Sequence, residues 1–169
     1  MFNRLKSWLK SSPSADIRKP PNLSISKNDK LIALAQSGRI SFGRTDFTEL
    51  DNPEIVFIAV WVLEGEVNNG GFAQYFQNSS SETVLVVLQA LHTIGANRTA
   101  NICRRAIKTV FPSGLPSTPI DISLLAQKMT ETQGAQLEPL DQEFYGYPDN
   151  LTELLYDFVV KNPAVFGPI

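Results

Sequence analysis

The 169-residue chain contains one cysteine and one histidine, and each scarcity excludes a class of protein. Cys103 has no second cysteine with which to form an internal disulfide, which favours a reducing compartment and predicts a cytoplasmic location. His92 is the sole histidine, so a metal site would depend on carboxylates, and the sequence shows neither a zinc nor a calcium spacing. We therefore expect no metal and no cofactor.

Long apolar runs are also missing. The longest covers residues 55–63, less than half of the roughly 20 residues that a membrane-spanning helix needs. The first ten residues carry scattered charges and lack the continuous apolar centre of a signal peptide. The sequence predicts no transmembrane segment, while its 43% hydrophobic content is sufficient for one buried core.

Basic residues are scarce in most of the chain. Residues 1–44 carry nine Lys or Arg against two Asp, whereas residues 45–169 carry six against fifteen Asp or Glu. Residues 46–82 contain seven carboxylates and no Lys or Arg. Such a field attracts basic partners and resists nonspecific nucleic-acid binding, and it equally suits a solvated surface that keeps a small protein soluble. For function we expect a basic protein partner and no direct contact with nucleic acid.

The N-terminal region differs in composition from the rest. We interpret residues 1–24 as a flexible basic tail followed by a linker rich in proline and serine, and we predict a folded domain over residues 25–169. The first ten residues have an amphipathic pattern that suits anionic lipid or the acidic body of the chain itself. Its apolar members are Phe2, Leu5, Trp8 and Leu9, and its basic members are Arg4, Lys6 and Lys10.

Periodicity and capping residues predict an all-α fold, a single compact domain of about six or seven helices. The expected helices cover residues 27–36, 53–67, 84–94, 97–111, 121–132 and 150–162, with an irregular stretch over 133–149. Two buried runs, 55–63 and 84–88, are rich in β-branched residues and would also suit strands. Their length and their caps favour helices.

Residues 64–78, EGEVNNGGFAQYFQN, form a polar segment between the two most apolar stretches. Glycine tolerates the left-handed backbone that ends a helix, so Gly70 and Gly71 predict a break followed at once by another helix. Three aromatic residues recur at helical spacing after the break and should point inward: Phe72, Tyr75 and Phe76.

The polar side chains of this segment have two interpretations. Their amides either satisfy groups within the fold or line a small pocket. Glu64 and Glu66 lie two apart on a helix and point in different directions, so they do not form a catalytic carboxylate pair, and we predict no catalytic residue. The candidate pocket residues are Glu66, Asn69, Gly70, Gly71, Gln74, Tyr75 and Asn78.

The same segment resembles the signature of the DNA-mimic-protein-like family of bacterial proteins, which reads roughly E-x-x-N-G-G-F-x-Q-Y-F-x-N. The similarity extends over roughly residues 25–165. The resemblance implies an all-helical domain that occupies the DNA-binding surface of a basic protein, such as a transcription factor, in place of DNA. The matching positions are Glu66, Asn69, Gly70, Gly71, Phe72, Gln74, Tyr75, Phe76 and Asn78.

A row of carboxylates in the last predicted helix suits this role. Asp149, Glu153 and Asp157 follow one another at intervals of four, so they repeat every 6 Å or so along a helix face, comparable in order of magnitude to the charge spacing of DNA. Like charges at this spacing destabilise a helix, so folding alone does not require the row. The predicted partner-binding face comprises Asp141, Glu143, Asp149, Glu153, Asp157, Glu49 and Asp51.

Several functions stay open at this point. An immunity-type inhibitor of a basic toxin would use the same electrostatics as a DNA mimic, and a small-ligand receptor or an enzyme would use the polar segment. A homodimer is compatible with each. A convex carboxylate surface would favour mimicry. A receptor would instead show a cleft onto which Glu66, Asn69, Gln74 and Asn78 converge.

Overall fold

The computed structural model describes residues 25–42, 52–78 and 81–169, and within these ranges it contains helices and no strand. The predicted all-α class is confirmed. The predicted tail over residues 1–24, and Glu49 and Asp51, lie outside the described residues. The helices are α1 (Lys27–Gln36), α2 (Pro53–Gln77), a 3₁₀ helix (Ser81–Leu85), α3 (Val87–Thr93), α4 (Asn97–Val110), α5 (Pro119–Ala126), α6 (Glu131–Tyr145), α7 (Leu151–Lys161) and α8 (Pro163–Phe166).

Side-chain caps begin α2 and α7, close to the helix starts that the sequence predicts. The Asn52 side chain accepts a hydrogen bond from the Glu54 backbone N–H at 2.9 Å, with Pro53 at the first position of α2. The Asn150 side chain accepts from the Glu153 backbone N–H at 3.2 Å at the start of α7. Each cap satisfies an N–H group that has no partner within its own helix.

Helix α2 lies at the centre of the fold, in contact with the 3₁₀ helix and with α3, α5, α6, α7 and α8. Most side chains of residues 55–63 are buried on every side, as expected for a helix inside a core. The helix interpretation of this β-branched run is therefore correct. Within the described ranges no helix, α2 included, is long and apolar enough to cross a bilayer.

Residues 84–94 differ from the single helix that the sequence predicts. A 3₁₀ helix covers Ser81–Leu85, and α3 begins only at Val87. The Val86 backbone N–H donates to the Thr83 carbonyl at 3.1 Å, the three-residue spacing of the tighter helix. β-branched residues crowd this turn and disfavour regular α-helix.

Helix α6 is the main departure from prediction, because it occupies most of the stretch 133–149 that was expected to be irregular. The Thr130 side chain accepts from the Gln133 backbone N–H at 3.2 Å, and the Gln133 side chain accepts from the Thr130 N–H at 3.0 Å. This capping box starts the helix. Pro139 lies inside α6 and lacks an N–H donor. Burial of one face sustains the helix despite it, through Leu137, Leu140 and Phe144.

The ends of two further helices also differ from those predicted. The helix expected over residues 121–132 is shorter, since α5 ends at Ala126 and the chain turns before α6. Pro163 ends α7 as predicted but also begins the four-residue helix α8. On α7, Leu151, Leu155 and Val159 are buried, whereas Leu154 and Phe158 are only partly buried.

Candidate functional site

The helix break lies within α2 at Gly70 and Gly71, where the sequence predicts it. Gly71 has φ 71° and ψ −177°, a region that residues with a side chain rarely adopt. Gly70 has φ −165°, which is extended backbone open to any residue. The two halves of α2 therefore meet without a loop, and only Gly71 requires glycine for its backbone conformation.

Glu66 joins the two halves of α2 across the break. Its Oε2 accepts hydrogen bonds from Gln74 Nε2 at 2.8 Å and from Asn78 Nδ2 at 2.7 Å. The two donors lie four residues apart and so project from the same side of the second half. Three of the candidate pocket residues thus bind one another. Asn69, the fourth polar member, is exposed.

The aromatic residues after the break face the core, as predicted. Phe72, Tyr75 and Phe76 are buried. The Tyr75 hydroxyl shares a 2.9 Å hydrogen bond with Thr83 Oγ1, and burial raises the pKa of Tyr75 well above its ordinary value. Phe72 meets Phe144 of α6 edge-on, with 5.7 Å between ring centroids. This packing ties the break to α6.

Asp141 of α6 caps the second half of α2 from outside. Its Oδ1 accepts a hydrogen bond from the Phe72 backbone N–H at 2.8 Å. Phe72 starts the second half, so its N–H has no partner within the helix, and the Asp141 carboxyl oxygen supplies the missing acceptor. A Cβ atom on Gly71 would lie 2.5 Å from Asp141 Oδ2. Gly71 therefore leaves the space that the capping carboxylate occupies.

Two tyrosines attach the end of α6 to the first half of α2. The Tyr145 hydroxyl donates to the Val67 carbonyl at 3.1 Å. The Tyr147 hydroxyl accepts from Asn68 Nδ2 at 2.6 Å and is also hydrogen-bonded to Glu64. Tyr147 has φ 46°, which is uncommon outside glycine. Sequence periodicity gives no signal for these contacts, because a loop residue with unusual backbone geometry makes one of them.

Glu64 makes the stability of the fold depend on pH. Burial raises the pKa of its carboxyl above the ordinary value of 4.5, and the hydrogen bond from Tyr147 acts in the opposite direction. A folded-state pKa above the unfolded one means that Glu64 contributes stability below about pH 4.5 and that this contribution is lost as pH rises through the raised pKa.

Replacing Glu64 with glutamine should therefore raise the melting temperature relative to the native chain at neutral pH, and the gain should shrink toward about pH 4. Thermal unfolding followed by circular dichroism across this range measures the difference. Glu131→Gln, at an exposed position on α6, is the control and should not reproduce this trend. A Glu64→Gln gain that is the same at both ends of the range would contradict the role of burial.

The carboxylates predicted for a partner-binding face do not form one free row. Asp149 Oδ2 accepts hydrogen bonds from the backbone N–H and the hydroxyl of Thr99, at 2.8 and 3.0 Å, in the first turn of α4. Its charge thus lies at the positive end of that helix. Asp149 serves the fold as an external cap, as Asp141 does for α2.

The other members pair with cations of the same chain. Lys27 of α1 contacts Glu153 and lies 3.4 Å from Asp157. Arg105 of α4 contacts Glu143 and lowers the pKa of its carboxyl. All of these side chains are exposed. Exposed pairs contribute little to stability, so their carboxylates stay available to another cation.

The outer face of α6 carries carboxylates that are not ion-paired with the described part of the chain. Glu131 and Glu138 lie two turns apart and are exposed, and in the described part of the chain neither has a hydrogen-bond or ion-pair partner. The whole of α6 contains four carboxylates and no Lys or Arg. Sequence reasoning missed this face because it treated the segment as irregular. The seven-residue spacing of the two glutamates was the available signal.

A family model described as DMP19-like protein matches residues 48–162, about two thirds of the chain. The chain belongs to the DMP19-like protein family. The predicted family is thereby confirmed, and the matched range contains the break in α2 and the acidic helix α6. Helix α1 lies outside the match. Comparison with curated proteins and with solved structures gave no match.

The described residues of this DMP19-like chain offer few reactive groups. Among them, no cluster of three or more His, Cys, Asp or Glu side chains is arranged to hold a metal ion. Cys103 is buried, and burial raises the pKa of its thiol, which disfavours the reactive thiolate. His92 Nε2 lies 3.1 Å from the Arg104 guanidinium and Nδ1 lies 2.8 Å from Asn97 Oδ1. Because arginine only donates, the Nδ1 atom of His92 carries the proton.

Proposed function

We propose that this DMP19-like chain is a non-catalytic, acidic interaction module that occupies the DNA-binding surface of a basic protein in place of DNA. The DMP19 family is a family of DNA mimic proteins, which supports this class of function. The observation that carries the proposal is the outer face of α6, where Glu131 and Glu138 are exposed on a regular helix without a cation from the described part of the chain.

The geometry of α6 suits cations that normally meet phosphates. Glu131 and Glu138 are separated by about 10 Å along the helix axis, and Asp141 follows one turn later at the junction with α2. Arginine and lysine on a DNA-binding surface contact a regular series of negative charges along the backbone. Glu131 and Glu138 present two such charges on a helix whose backbone is already ordered before the partner binds. We assign the primary contact to this face.

Three further carboxylates of the predicted partner-binding face are available for contact, although each is ion-paired within the chain. Glu143, Glu153 and Asp157 are exposed but bound to Arg105 or Lys27 of the same chain. A partner's arginine would exchange with these cations at small cost, because surface ion pairs contribute little to stability. Asp149 differs, since its carboxylate caps α4, and we assign it a structural role.

Two double variants with equal charge change test the location of the contact. Glu131→Gln with Glu138→Gln neutralises the α6 face, and Glu153→Gln with Asp157→Asn neutralises the α7 pair. The partner is first captured from host lysate on the immobilised native chain, and its affinity is then measured over a salt series. We expect the α6 variant to lose about tenfold in affinity at low salt and to show a shallower salt dependence. The α7 variant should lose less.

The mimicry itself is tested by competition. Duplex DNA added to the complex should displace the captured partner, because both ligands would use the same basic surface. A partner that binds this chain and DNA simultaneously would reject mimicry. Equal losses in the two double variants would instead show that net charge, and not the α6 face, governs binding.

A further inference from the structure

Helix α5 has an exposed apolar face. Ile120 is 72% exposed, Leu124 50% and Leu125 48%. Ile120 and Leu124 lie one turn apart, and Leu125 adjoins them, whereas Ile122 and Ala126 of the same helix are buried. Three large aliphatic side chains grouped on one short helix form the kind of surface that marks a contact site.

Hydrogen bonds on the inner side hold α5 in place. The Ser123 hydroxyl donates to the Gln77 carbonyl at 2.9 Å, and Gln77 Nε2 donates to the Ala126 carbonyl at 3.2 Å. The Ser81 hydroxyl donates to the Pro119 carbonyl at 3.1 Å. These bonds fix α5 at both ends, so the exposed leucines and isoleucine belong to an anchored helix.

The surroundings of this face are acidic at its N-terminal end. Asp121 is exposed beside Ile120. Glu82 follows Ser81, the residue bonded to the start of α5, and is half-buried. Lys128 lies one turn beyond Leu124 at the other end. A ligand with apolar groups and positive charge would match the first two turns of α5.

We propose that residues 1–10 of the same chain dock on the exposed face of α5. Besides Met1, this segment contains four large apolar residues, three basic residues and no Asp or Glu. Its apolar side chains would cover Ile120, Leu124 and Leu125, and its basic groups would meet Asp121. The segment residues that make these contacts are Phe2, Leu5, Trp8 and Leu9, with Arg4, Lys6 and Lys10.

The length of the intervening chain permits this contact. Fourteen residues, 11–24, separate the segment from Ile25, the first described residue. They reach up to about 46–50 Å, whereas a globular body of this size has a radius of gyration of about 15 Å. Because the contact is intramolecular, its effective concentration is in the millimolar range, and even weak docking is populated. This proposal does not depend on the identity of a protein partner.

Trp8 reports on the contact in the full-length chain. The chain has two tryptophans, Trp8 and Trp61, so the difference between the fluorescence of the native chain and that of Trp8→Phe isolates the emission of Trp8. We expect a blue-shifted Trp8 emission that is shielded from acrylamide. In Ile120→Ser with Leu124→Ser the emission should shift to that of a solvated indole, and acrylamide quenching should rise several-fold.

A matched control replaces two exposed aliphatic residues elsewhere, Val160→Ser with Val165→Ser, and should keep the native Trp8 signal. Both double variants should retain native helical content, since the four positions are exposed. A solvated Trp8 in the native chain, or a shielded Trp8 in the α5 variant, would overturn the proposal. Shielding that disappears on dilution would assign the contact to a second copy. Shielding that appears only with anionic phosphatidylserine vesicles would assign the segment to a membrane.

Discussion

Replacing Gly71 with valine should lower the free energy of unfolding by about 2–4 kcal/mol. Two effects combine at this position. The backbone has φ 71°, which is strained for a β-branched residue, and the new Cβ would lie 2.5 Å from Asp141 Oδ2. The carboxylate must move away, so the Phe72 N–H loses its cap. Urea denaturation of native and variant chains, followed by circular dichroism, measures the loss.

Gly70→Ala is the control for this change. A Cβ on Gly70 would clash with Gln74 Oε1, which can rotate away at the cost of the bond between Gln74 and Glu66, and would lie 3.0 Å from Gln74 Cβ, which must shift slightly. The backbone at Gly70 is extended and needs no glycine. Of the two glycines predicted to break the helix, only Gly71 therefore requires the left-handed backbone. Equal losses for the two variants would show that the positive φ of Gly71 and the Asp141 contact do not determine the outcome.

Interactions between residues close in sequence were sufficient to predict much of the fold. The Asn52 and Asn150 caps, the glycine break and the inward aromatic residues each depend on side chains within a few positions of the element they define. Such patterns are visible in sequence because the interacting groups are neighbours. The helix interpretation of residues 55–63 also depended on a local cap and on run length.

Contacts between residues far apart in sequence could not be predicted from such local patterns. Asp141 reaches the Phe72 N–H across 69 positions, and Asp149 reaches Thr99 across 50. In the sequence both aspartates look like free surface charge, and both act as helix caps. Helix α6 was not predicted from the sequence, and Pro139 lies within it, a residue that normally disrupts a helix interior. In the structure, burial of one face stabilises the helix despite this proline. Without this helix, there was no reason in the sequence to place Glu131 and Glu138 on one face.

Replacing Asp141 with alanine should lower the free energy of unfolding by about 1–3 kcal/mol, because it leaves the N–H of the buried residue Phe72 without an acceptor. Asparagine at the same position keeps an oxygen acceptor and removes only the charge. Burial raises the pKa of the Asp141 carboxyl, while the Phe72 N–H opposes this shift and the charge of Glu138 adds to it. The charge is therefore not the favourable part of the contact at neutral pH, and Asp141→Asn should cost far less than Asp141→Ala.

The pH dependence and a double-mutant cycle separate the cap from other roles of Asp141. Since its folded-state pKa is raised, Asp141 contributes stability at low pH that is lost as pH rises through that pKa. The stability of Asp141→Asn relative to the native chain should consequently increase between about pH 4 and neutrality. Asp141→Ala should add little to the loss already caused by Gly71→Val, because the valine displaces the same carboxylate. Strictly additive losses would mean that Gly71 and Asp141 act independently, and the capping of α2 by α6 would have to be abandoned.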